Sequence, residues 1–300
     1  MERLYQKKLP AGRPIGESWE IGDRPGDVSV IANGPLAGKY LRWLMENHRA
    51  ELLGDAKPAN ENRFPLLCKI LDAREKLSLQ VHPPANKAAE LGGEPKAEMW
   101  FIADAAPGAE LFVGLKRGVM RAEFEKKVET GEVAECFHRV PVRVGDAMFL
   151  PSGRVHAIGA GLVIFEIQQN SDTTYRVFDW NRVGLDGKPR ELHVAQSLAS
   201  IDFSSYRFRP GIIRSKSKSR LLVCSELFNV RDWKIRNGTR RFLKPGTLQI
   251  IAAIRGQIEI RGGSEAVNLS AGQFGLIPAS LERMKVLAKS DAALLRVEAN

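Results

Sequence analysis

Short apolar runs separated by Gly, Pro or Asp follow one another along the chain from Phe64 onward. They are rich in β-branched and aromatic residues, as β-strands are; examples are 66–71, 77–81, 99–102 and 162–167. Helical periodicity predicts two helices, over residues 39–53 before Gly54 and over 118–129 before Gly131. Closely spaced strands with few helical additions predict a mainly β protein, built as a sandwich or a barrel.

Two segments of the chain echo each other. Residues 144–151 and 271–278 each place a glycine and a polar residue before an apolar strand that ends in proline. The second copy follows residues 248–260, whose pattern predicts a hairpin turning at Gly256. A strand–turn–strand unit that ends in this way is similar to the signature of a cupin-type jelly roll. We therefore predict tandem cupin-type jelly-roll barrels, with a few helices decorating the first.

The echo also suggests domain limits. We predict a first domain over residues 1–205, with helical insertions and the candidate catalytic residues, and a linker or hairpin over 206–220. A smaller, metal-free cupin-like domain follows over 221–300. The division falls in the basic run at 214–220, which carries no aromatic residue and is typical of a solvated connection.

Composition excludes several classes of protein. The chain has 300 residues, of which 44% are hydrophobic and 27% charged, so it is neither disordered nor fibrous. No apolar run approaches the roughly 18 residues of a membrane span, and the N-terminus lacks the apolar stretch of a secretory signal. Cys68, Cys136 and Cys224 lie among apolar neighbours and are predicted to be reduced core residues. We expect a cytoplasmic protein with no membrane partner.

The net charge of +10 bears on the choice of partner. The positive residues are scattered along the chain, and their densest run, 214–220, carries no interleaved aromatic residue, so nucleic acid is not an expected partner. A positive field would instead help to collect an anionic small molecule.

His82 and His156 are the candidate metal ligands among five histidines. Alternation along the strand 77–82 puts Gln80 and His82 on one face, which either meets solvent or lines a polar cavity. Glu98 enters an apolar strand, and His156 follows a Pro-Ser-Gly turn. Two imidazoles, a carboxylate and an amide oxygen suit a divalent ion, and three strong ligands are usual for catalytic zinc. The alternative is a set of ordinary exposed side chains; we favour the metal.

Longer motifs make the interpretation specific. The segments in question are "FPLLCKILDAREKLSLQVHP" (64–83), "KAEMWFI" (96–102), "FLPSGRVHAIGAG" (149–161) and "EIQQNSDTTYRVFDW" (166–180). In this order they resemble the successive motifs of type I phosphomannose isomerases in their short bacterial form, and residues 16–41 fit the same family. The loop 84–95 departs from the pattern, being shorter and less acidic than in those forms.

The resemblance implies that the chain interconverts mannose 6-phosphate and fructose 6-phosphate. It further implies one Zn²⁺ per chain, held by four side chains: Gln80, His82, Glu98 and His156. Arg176 matches the family's active-site arginine, and Lys96 matches a lysine two residues before the ligand glutamate. Glu166 occupies the position of an acidic residue proposed as a base.

Isomerisation of an aldose to a ketose gives these residue types a purpose. A proton moves between C2 and C1 through an enediol(ate), which needs a base and a positive group to hold charge on oxygen. Arg176 and Lys96 can stabilise the enediolate or bind the phosphate, and Glu166 can carry the proton if burial raises its pKa. Without the resemblance, Arg176 and Glu166 would be interpreted as a salt-bridged pair.

Two other function classes remain open from the sequence. One is a non-catalytic metal-binding cupin that senses a sugar phosphate; the other is a metal-dependent cupin oxygenase with a facial triad. The presence of Lys96, Glu166 and Arg176 together favours an enzyme. Its expected partner is a small phosphosugar, and we expect a monomer or small homo-oligomer.

Aligning the prolines of the two echoes sets Arg283 opposite His156, which is why we predict no metal in the second barrel.

Overall fold

The computed structural model describes residues 1–184, 187–204, 211–214, 218–263 and 265–300. The chain forms two compact units: unit 1 comprises Met1–Ile70 with Ser215–Asn300, and unit 2 comprises Leu71–Arg214. Backbone hydrogen bonds join the two segments of unit 1, for example from Lys57 N–H to the Asn300 carbonyl (3.2 Å). The predicted first domain, 1–205, differs from this grouping in its first 70 residues, because that segment packs with the C-terminal strands. The division of the chain into domains at residues 205 and 220 therefore stays a prediction.

Most of the regular structure is β-strand. The strands up to residue 178 are β1 (Glu17–Ile21), β2 (Asp23–Arg24), β3 (Asp27–Val28), β4 (Leu66–Ala73), β5 (Leu79–Val81), β6 (Glu98–Ala105), β7 (Glu110–Leu115), β8 (Phe137–Pro141), β9 (Ala147–Leu150), β10 (His156–Ile158), β11 (Leu162–Gln169) and β12 (Tyr175–Phe178). The later strands are β13 (Ser219–Cys224), β14 (Phe228–Ile235), β15 (Arg240–Phe242), β16 (Gln249–Arg255), β17 (Gln257–Gly262), β18 (Glu265–Ser270), β19 (Phe274–Ile277), β20 (Lys285–Ala288) and β21 (Ala292–Ala299).

The helices are short. They are α1 (Glu2–Tyr5), α2 (Leu41–Asn47), α3 (Arg49–Leu53), α4 (Ala85–Ala88), α5 (Arg121–Thr130) and α6 (Val194–Ser200), with 3₁₀ turns at Asn60–Asn62 and Val133–Cys136. Among the helices that the structure describes, none combines the length and the apolar character that a membrane crossing requires.

Unit 2 is a barrel of two facing sheets. One sheet has the strand order β12–β5–β10–β7–β8; in the other, β4, β11, β6 and β9 lie side by side, and β4 leads the chain from unit 1 into unit 2. An apolar cluster that includes Trp100 and Ile164 from one sheet and Val113 and Ile158 from the other fills the interior.

The sheet that contains β5 is buried on its outer face as well. Leu79 and Val81 of β5 pack there with Phe124 of α5 and Phe137 of β8, and Leu198 of α6 packs against the same cluster. The apolar residues of β5 therefore serve this outer core, and the alternate residues, Gln80 among them, point to the other face of the strand.

Unit 1 contains a second barrel with the same connections. Its sheets have the strand orders β13–β14–β21–β16–β19 and β15–β20–β17–β18. Each strand from β4 to β11 in the first barrel has a counterpart in the second whose number is higher by ten, and the counterparts lie in the same order within their sheets. The edge strands β1, β12 and β13 are outside this correspondence. The predicted mainly β fold with two jelly-roll barrels is thus confirmed in its strand content, and the echo at 144–151 and 271–278 falls on the matching strands β9 and β19.

The predicted helices are present with one change. The span 39–53 forms α2 and α3 with an interruption at His48, and the second segment ends at Gly54, whose φ is +58°. The span 118–129 forms α5, which Gly131 closes in the left-handed conformation by donating its N–H to the last turn.

The predicted hairpin at Gly256 is wrong in its pairing. The strands β16 and β17 form on either side of Gly256, but β16 pairs with β19 and β21 whereas β17 pairs with β18 and β20. Gly256 is therefore the corner at which the chain leaves one sheet for the facing one. A barrel of two sheets needs such corners, and the local pattern of a corner resembles that of a tight hairpin.

Two smaller expectations change as well. Cys68 and Cys136 are buried as predicted, but Cys224, the last residue of β13, is exposed. The predicted linker or hairpin at 206–220 lies partly outside the described residues, at 206–210 and 215–217; its last two residues begin β13.

We expect Gly256→Ala to destabilise unit 1 strongly. Gly256 has φ +78°, and an added Cβ would lie 2.4 Å from the Asp291 carbonyl oxygen, in a sheet corner that cannot widen without moving β21. Gly238→Ala is the matched control, since Gly238 has φ +74° but no atom within 4 Å of its added Cβ. Left-handed strain alone costs about 1–2 kcal/mol, so the control should lose about that much free energy of unfolding. Urea titration should show a clearly larger loss for Gly256→Ala; equal losses would contradict the corner assignment.

Candidate functional site

Polar side chains from both sheets of unit 2 meet inside the barrel. Gln80 and His156 come from β5 and β10 of one sheet, where they lie opposite each other, and Glu98 is the first residue of β6 in the facing sheet. His82 directly follows β5, and its carbonyl accepts a hydrogen bond from Gly153 N–H (2.8 Å) in the turn before β10. Gly153 takes φ +81°, so this turn is one that glycine permits most easily.

Three ligand-type side chains converge at this place. His82 Nε2 lies 3.4 Å from Glu98 Oε2, and His156 Nε2 lies 3.0 Å from Glu98 Oε1. All three residues are buried, and their ligand atoms lie within 4.8 Å of one another. Across the described part of the chain, this is the one group of three or more His, Cys, Asp or Glu side chains found so close together.

Backbone carbonyls fix the tautomer of each imidazole. His82 Nδ1 donates to the Thr173 carbonyl (2.8 Å), and His156 Nδ1 donates to the Arg154 carbonyl (2.8 Å). A carbonyl oxygen only accepts, so Nδ1 carries the proton in both rings and Nε2 of the neutral ring is a lone pair. Both Nε2 atoms face Glu98. Histidine ligands of metals are commonly oriented in this way by a partner on the second nitrogen.

Burial and the nearby charges set the protonation states. Burial, followed by the Lys96 ammonium, lowers the pKa of His82 to about 4, so this ring is neutral at pH 7. Burial by itself would raise the pKa of Glu98, but the charges beside it, the Lys96 ammonium first, outweigh burial and hold that pKa well below its usual range. Glu98 is therefore an anion that can only accept hydrogen bonds.

The result is a set of buried acceptors facing one another. In the described residues, His82 Nε2 and both carboxylate oxygens of Glu98 find no hydrogen-bond donor. Buried acceptors without donors are strongly disfavoured, whereas a divalent cation between them would satisfy all three groups. The residues therefore fit a metal ion.

Gln80 supplies a fourth polar group at the same place. Its side-chain nitrogen lies 3.4 Å from His156 Nε2, and a half-turn of the amide would present Oε1 there instead. The structure thus brings together all four side chains that the sequence analysis selected as metal ligands.

Lys96 and Glu166 flank the cluster. Lys96 Nζ lies 3.4 Å from Glu98 Oε2 in a buried position. Burial would lower the pKa of Lys96, but Glu98 and then Glu166 raise it above its ordinary value, so the ammonium persists at neutral pH. Glu166 Oε1 accepts a hydrogen bond from Trp100 Nε1 (2.8 Å), and the Trp100 ring stands edge-on to the His156 ring. Sequence reasoning missed Trp100, although alternation from Glu98 places it on the same face of β6.

Arg176 lies beside the ligand strand. It stands opposite Gln80 in the pairing of β12 with β5. Its Nη1 donates to the Glu191 carbonyl (2.7 Å), whereas its buried Nε has no acceptor among the described residues. The hydrogen bonds of Arg176 and Glu166 thus lead to different partners, and Arg176 keeps a donor for a further anion or carbonyl.

The second barrel carries other residues at the positions of the ligands. β16 lies between β19 and β21 as β6 lies between β9 and β11, and the registers match. Gln249, the first residue of β16, therefore takes the position of Glu98, the first residue of β6. Matching the ends of β10 and β20 sets Val286 at the position of His156. The proline alignment places Arg283 there, which is wrong because the loop before β20 is longer than the loop before β10.

An internal cation lies beside this position in the second barrel. Arg296 of β21 corresponds in register to Glu166 of β11. Its Nε donates to Gln249 Oε1 (2.6 Å), its guanidinium pairs with Glu298, and it lies 5.3 Å from the centroid of the Trp233 ring. A guanidinium and an amide thus replace the ligand set of the first barrel. The metal-free state of this barrel stays a prediction, which these residue types support.

Comparison with known proteins identifies relatives along most of the chain. The family described as phosphomannose isomerase type I, catalytic domain, matches residues 1–99. The mannose-6-phosphate isomerase of Streptococcus mutans is 36% identical over 270 residues, which cover 89% of this chain and 84% of that protein. The mannose-6-phosphate isomerase ManA of Bacillus subtilis is 36% identical over 93% of this chain and 88% of its own length. The crystal structure of mannose 6-phosphate isomerase from Bacillus subtilis superposes with a TM-score of 0.86 at 30% identity, covering 99% of this chain and 93% of that one.

We expect a divalent metal to stabilise the chelator-treated protein. An ion that binds only the folded state at about a thousandfold excess over its Kd adds about 4 kcal/mol to the free energy of unfolding. His156→Ala removes one ligand and little apolar packing, so it should abolish most of this gain without unfolding the barrel. His138→Ala, in β8, is the control and should keep it. Thermal unfolding with and without added metal measures the gain; an unchanged gain in His156→Ala would show that His156 is not a ligand.

The second barrel should depend on Arg296 in a different manner. Arg296→Ala removes the guanidinium from Glu298 and leaves Gln249 Oε1 with only the longer bond from Lys244 N–H (3.4 Å), which should cost about 1–3 kcal/mol of unfolding free energy. Adding Glu298→Ala to that variant should cost less than the two single losses summed, since the pair is coupled. Urea titration of the three variants measures the coupling, with the exposed Arg255→Ala as control. Simple additivity would mean that the guanidinium does not hold this network.

Proposed function

We propose that this chain, which belongs to the type I phosphomannose isomerases and interconverts mannose 6-phosphate and fructose 6-phosphate, works at the buried cluster of His82, Glu98 and His156. The observation that carries the proposal is the group of buried acceptors without donors, in which an anionic carboxylate faces the Nε2 atoms of two imidazoles. Such a group is costly to a protein as a purely structural feature and is typical of a metal centre.

We propose zinc as the metal, one ion per chain, with Gln80 as the fourth ligand. Two imidazole nitrogens with one carboxylate form a ligand set of the kind found in catalytic zinc sites. When bound, Zn²⁺ supplies a Lewis acid that polarises a carbonyl or hydroxyl oxygen of the sugar. The carbonyls of Thr173 and Arg154 hold the two rings, so the ligands need little reorganisation to bind the ion.

Lys96 and Arg176 are the proposed positive groups for the substrate. The Lys96 ammonium is buried within 3.4 Å of Glu98, where the low local dielectric strengthens its attraction for the charge that an enediolate develops. Arg176 offers a planar guanidinium with an unused buried Nε, suited to the phosphate or to a substrate oxygen. Both groups stay positive through the reaction, so they hold charge and do not carry the proton.

Glu166 is the proposed proton carrier between C2 and C1. Its Oε1 accepts a hydrogen bond from the Trp100 indole, which holds the carboxylate beside the cluster, where it can exchange a proton with the substrate carbons. The same hydrogen bond ties the orientation of Glu166 to Trp100 and, through the edge-on contact of that ring, to His156.

The remaining expectations about context stay predictions. These are a cytoplasmic location, no nucleic-acid partner, and a monomer or small homo-oligomer. The basic net charge supports the collection of an anionic phosphosugar and is compatible with each of them.

The central experiment is a coupled assay of fructose 6-phosphate formation from mannose 6-phosphate. Chelator-treated protein should lose turnover, and added Zn²⁺ should restore it with one equivalent bound per chain. Parallel additions of Co²⁺, Mn²⁺ and Mg²⁺ test the choice of metal, because an imidazole-rich site favours the first-row metals over Mg²⁺. Turnover that is independent of every divalent metal would overturn the proposal.

Arg176→Ala should separate substrate handling from metal binding. Losing a charge-assisted bidentate donor in the transition state should lower kcat/KM by about a hundredfold or more. Stabilisation by added metal should be unchanged, since Arg176 contributes no ligand atom. Arg74→Ala, an exposed arginine outside the site, is the control and should retain full kcat/KM. If Arg176→Ala loses metal binding together with activity, Arg176 is required for the site's structure and its proposed contact with substrate fails.

A further inference from the structure

Unit 2 has a second concave region, away from the barrel interior. It is a groove of about 720 Å³ beside β7 and α5, and it shares no residue with the proposed metal and substrate residues. Phe112 and Val113, neighbours on β7, show how the two regions relate: Phe112 belongs to the outer core and lines the groove, whereas Val113 belongs to the interior core and lies opposite His156. The groove and the cluster therefore lie on opposite faces of the same sheet.

Positive side chains dominate the lining of this groove. Five lysines and arginines line it against two glutamates among the described residues: Lys76, Lys116, Arg117, Lys127 and Arg139 against Glu123 and Glu135. Two of the cations are already neutralised, since Lys127 pairs with Glu135 (2.6 Å) and Arg139 pairs with Glu110 (2.6 Å).

The other three cations keep their charge uncompensated at close range. In the described part of the chain, Lys76, Lys116 and Arg117 have no carboxylate oxygen within 4.0 Å, and all three are exposed. Glu123 is the one lining carboxylate that is left among the described residues, so the groove retains a net positive charge. Like charges gathered in a concave surface concentrate the field there, which favours a multiply charged anion.

Two of these cations are held on a fixed turn. Lys116 N–H donates to the Cys136 carbonyl (2.7 Å), and Val119 N–H donates to the Lys116 carbonyl (3.3 Å). Gly118, with φ +92°, closes the turn between β7 and α5. The backbone under Lys116 and Arg117 is therefore set before any ligand binds, which reduces the entropy lost on binding.

Aromatic rings position the third cation. The Phe112 and Trp180 rings lie 5.4 Å apart, and the Lys76 ammonium lies 4.8 Å from the Trp180 centroid and 5.5 Å from the Phe112 centroid. Trp180 is itself fixed, because its Nε1 donates to the Leu77 carbonyl (2.7 Å). The cation–π contacts keep the ammonium at the groove without neutralising it.

We propose that this groove binds a small oligophosphate, a di- or triphosphate chain that is either free or part of a nucleotide. The volume is that of a small-molecule site, which normally measures about 300–1,000 Å³. A nucleic-acid strand would need a longer basic surface. Three cations without carboxylate partners match the charge of such a chain better than the smaller charge of a single phosphate, and lysine and arginine are the side chains that bind phosphate oxygens.

The test is titration calorimetry with inorganic tripolyphosphate as the probe. The protein carries its metal, and its metal content is checked after the titration because tripolyphosphate chelates divalent ions. It is saturated with an equilibrated mixture of mannose 6-phosphate and fructose 6-phosphate, which suppresses binding of the probe at the sugar site. The wild-type chain should bind one tripolyphosphate, with affinity that falls as salt rises. The double variant Lys116→Glu with Arg117→Glu should bind it at least about tenfold more weakly.

The single variant Lys126→Glu is the control for net charge, which it changes by half as much as the double variant does. Lys126 is an exposed lysine of α5 that does not line the groove, so it changes the net charge and leaves the site intact. We expect its affinity to stay within about twofold of wild type. The double variant should also keep its thermal midpoint and turnover, which shows that a loss of binding is not a loss of folding.

Adenosine triphosphate distinguishes the two sources of the phosphate chain. Tighter binding than tripolyphosphate, with a change in Trp180 fluorescence, supports a nucleotide whose base contacts the aromatic rings; equal binding supports a chain recognised by its phosphates alone. The proposal is overturned if the wild type does not bind tripolyphosphate in the presence of the sugar phosphates, if the double variant binds it as tightly as wild type, or if Lys126→Glu weakens it equally.

Discussion

Burying an anionic carboxylate between two imidazoles imposes the main constraint on unit 2. Glu98 sits between two sheets and is anionic, and neither of its oxygens finds a donor among the described residues. The Lys96 ammonium at 3.4 Å offsets part of this charge, but His82 Nε2 adds a further buried acceptor without a donor. A second positive charge is needed for the arrangement to be stable, and a divalent ion is the species that both nitrogen and oxygen ligands accept.

The two barrels share one topology but carry chemically different residues at corresponding positions. In the first barrel, the first residue of β6 is the carboxylate Glu98, and a divalent cation would complete the site. In the second, Gln249 stands at that position, and the cation is the covalently attached guanidinium of Arg296. A neutral amide beside an internal arginine requires no ion, and Val286 in place of the second imidazole gives up the ligand entirely. The second barrel can therefore retain the fold without the catalytic chemistry.

Sequence reasoning was effective where the information is local and failed where it depends on pairing. Alternation in β5 grouped Gln80 with His82 on one face of the strand. That face lines the barrel interior because α5 and α6 cover the other face, which carries Leu79 and Val81. No local pattern reveals this cover. The corner at Gly256 was mistaken for a hairpin because both need a glycine between two strands, and only the partners of β16 and β17 distinguish them. The Thr173 and Arg154 carbonyls that orient the imidazoles are backbone atoms, so residue types carry no signal for them.

The double burial of the sheet that contains β5 also explains how the ligands are held. Leu79 and Val81 are fixed in the outer core, so the strand cannot rotate, and Gln80 is directed inward. The hydrogen bond from Gly153 N–H to the His82 carbonyl joins the residue after β5 to the turn that precedes His156. This bond fixes the positions of the two imidazoles relative to each other. Packing on the outside of the barrel thereby sets the geometry inside it. Substitutions at Leu79 or Val81 would loosen the metal site without touching a ligand, because a core side chain shortened by two or three carbons leaves a cavity into which the strand can shift.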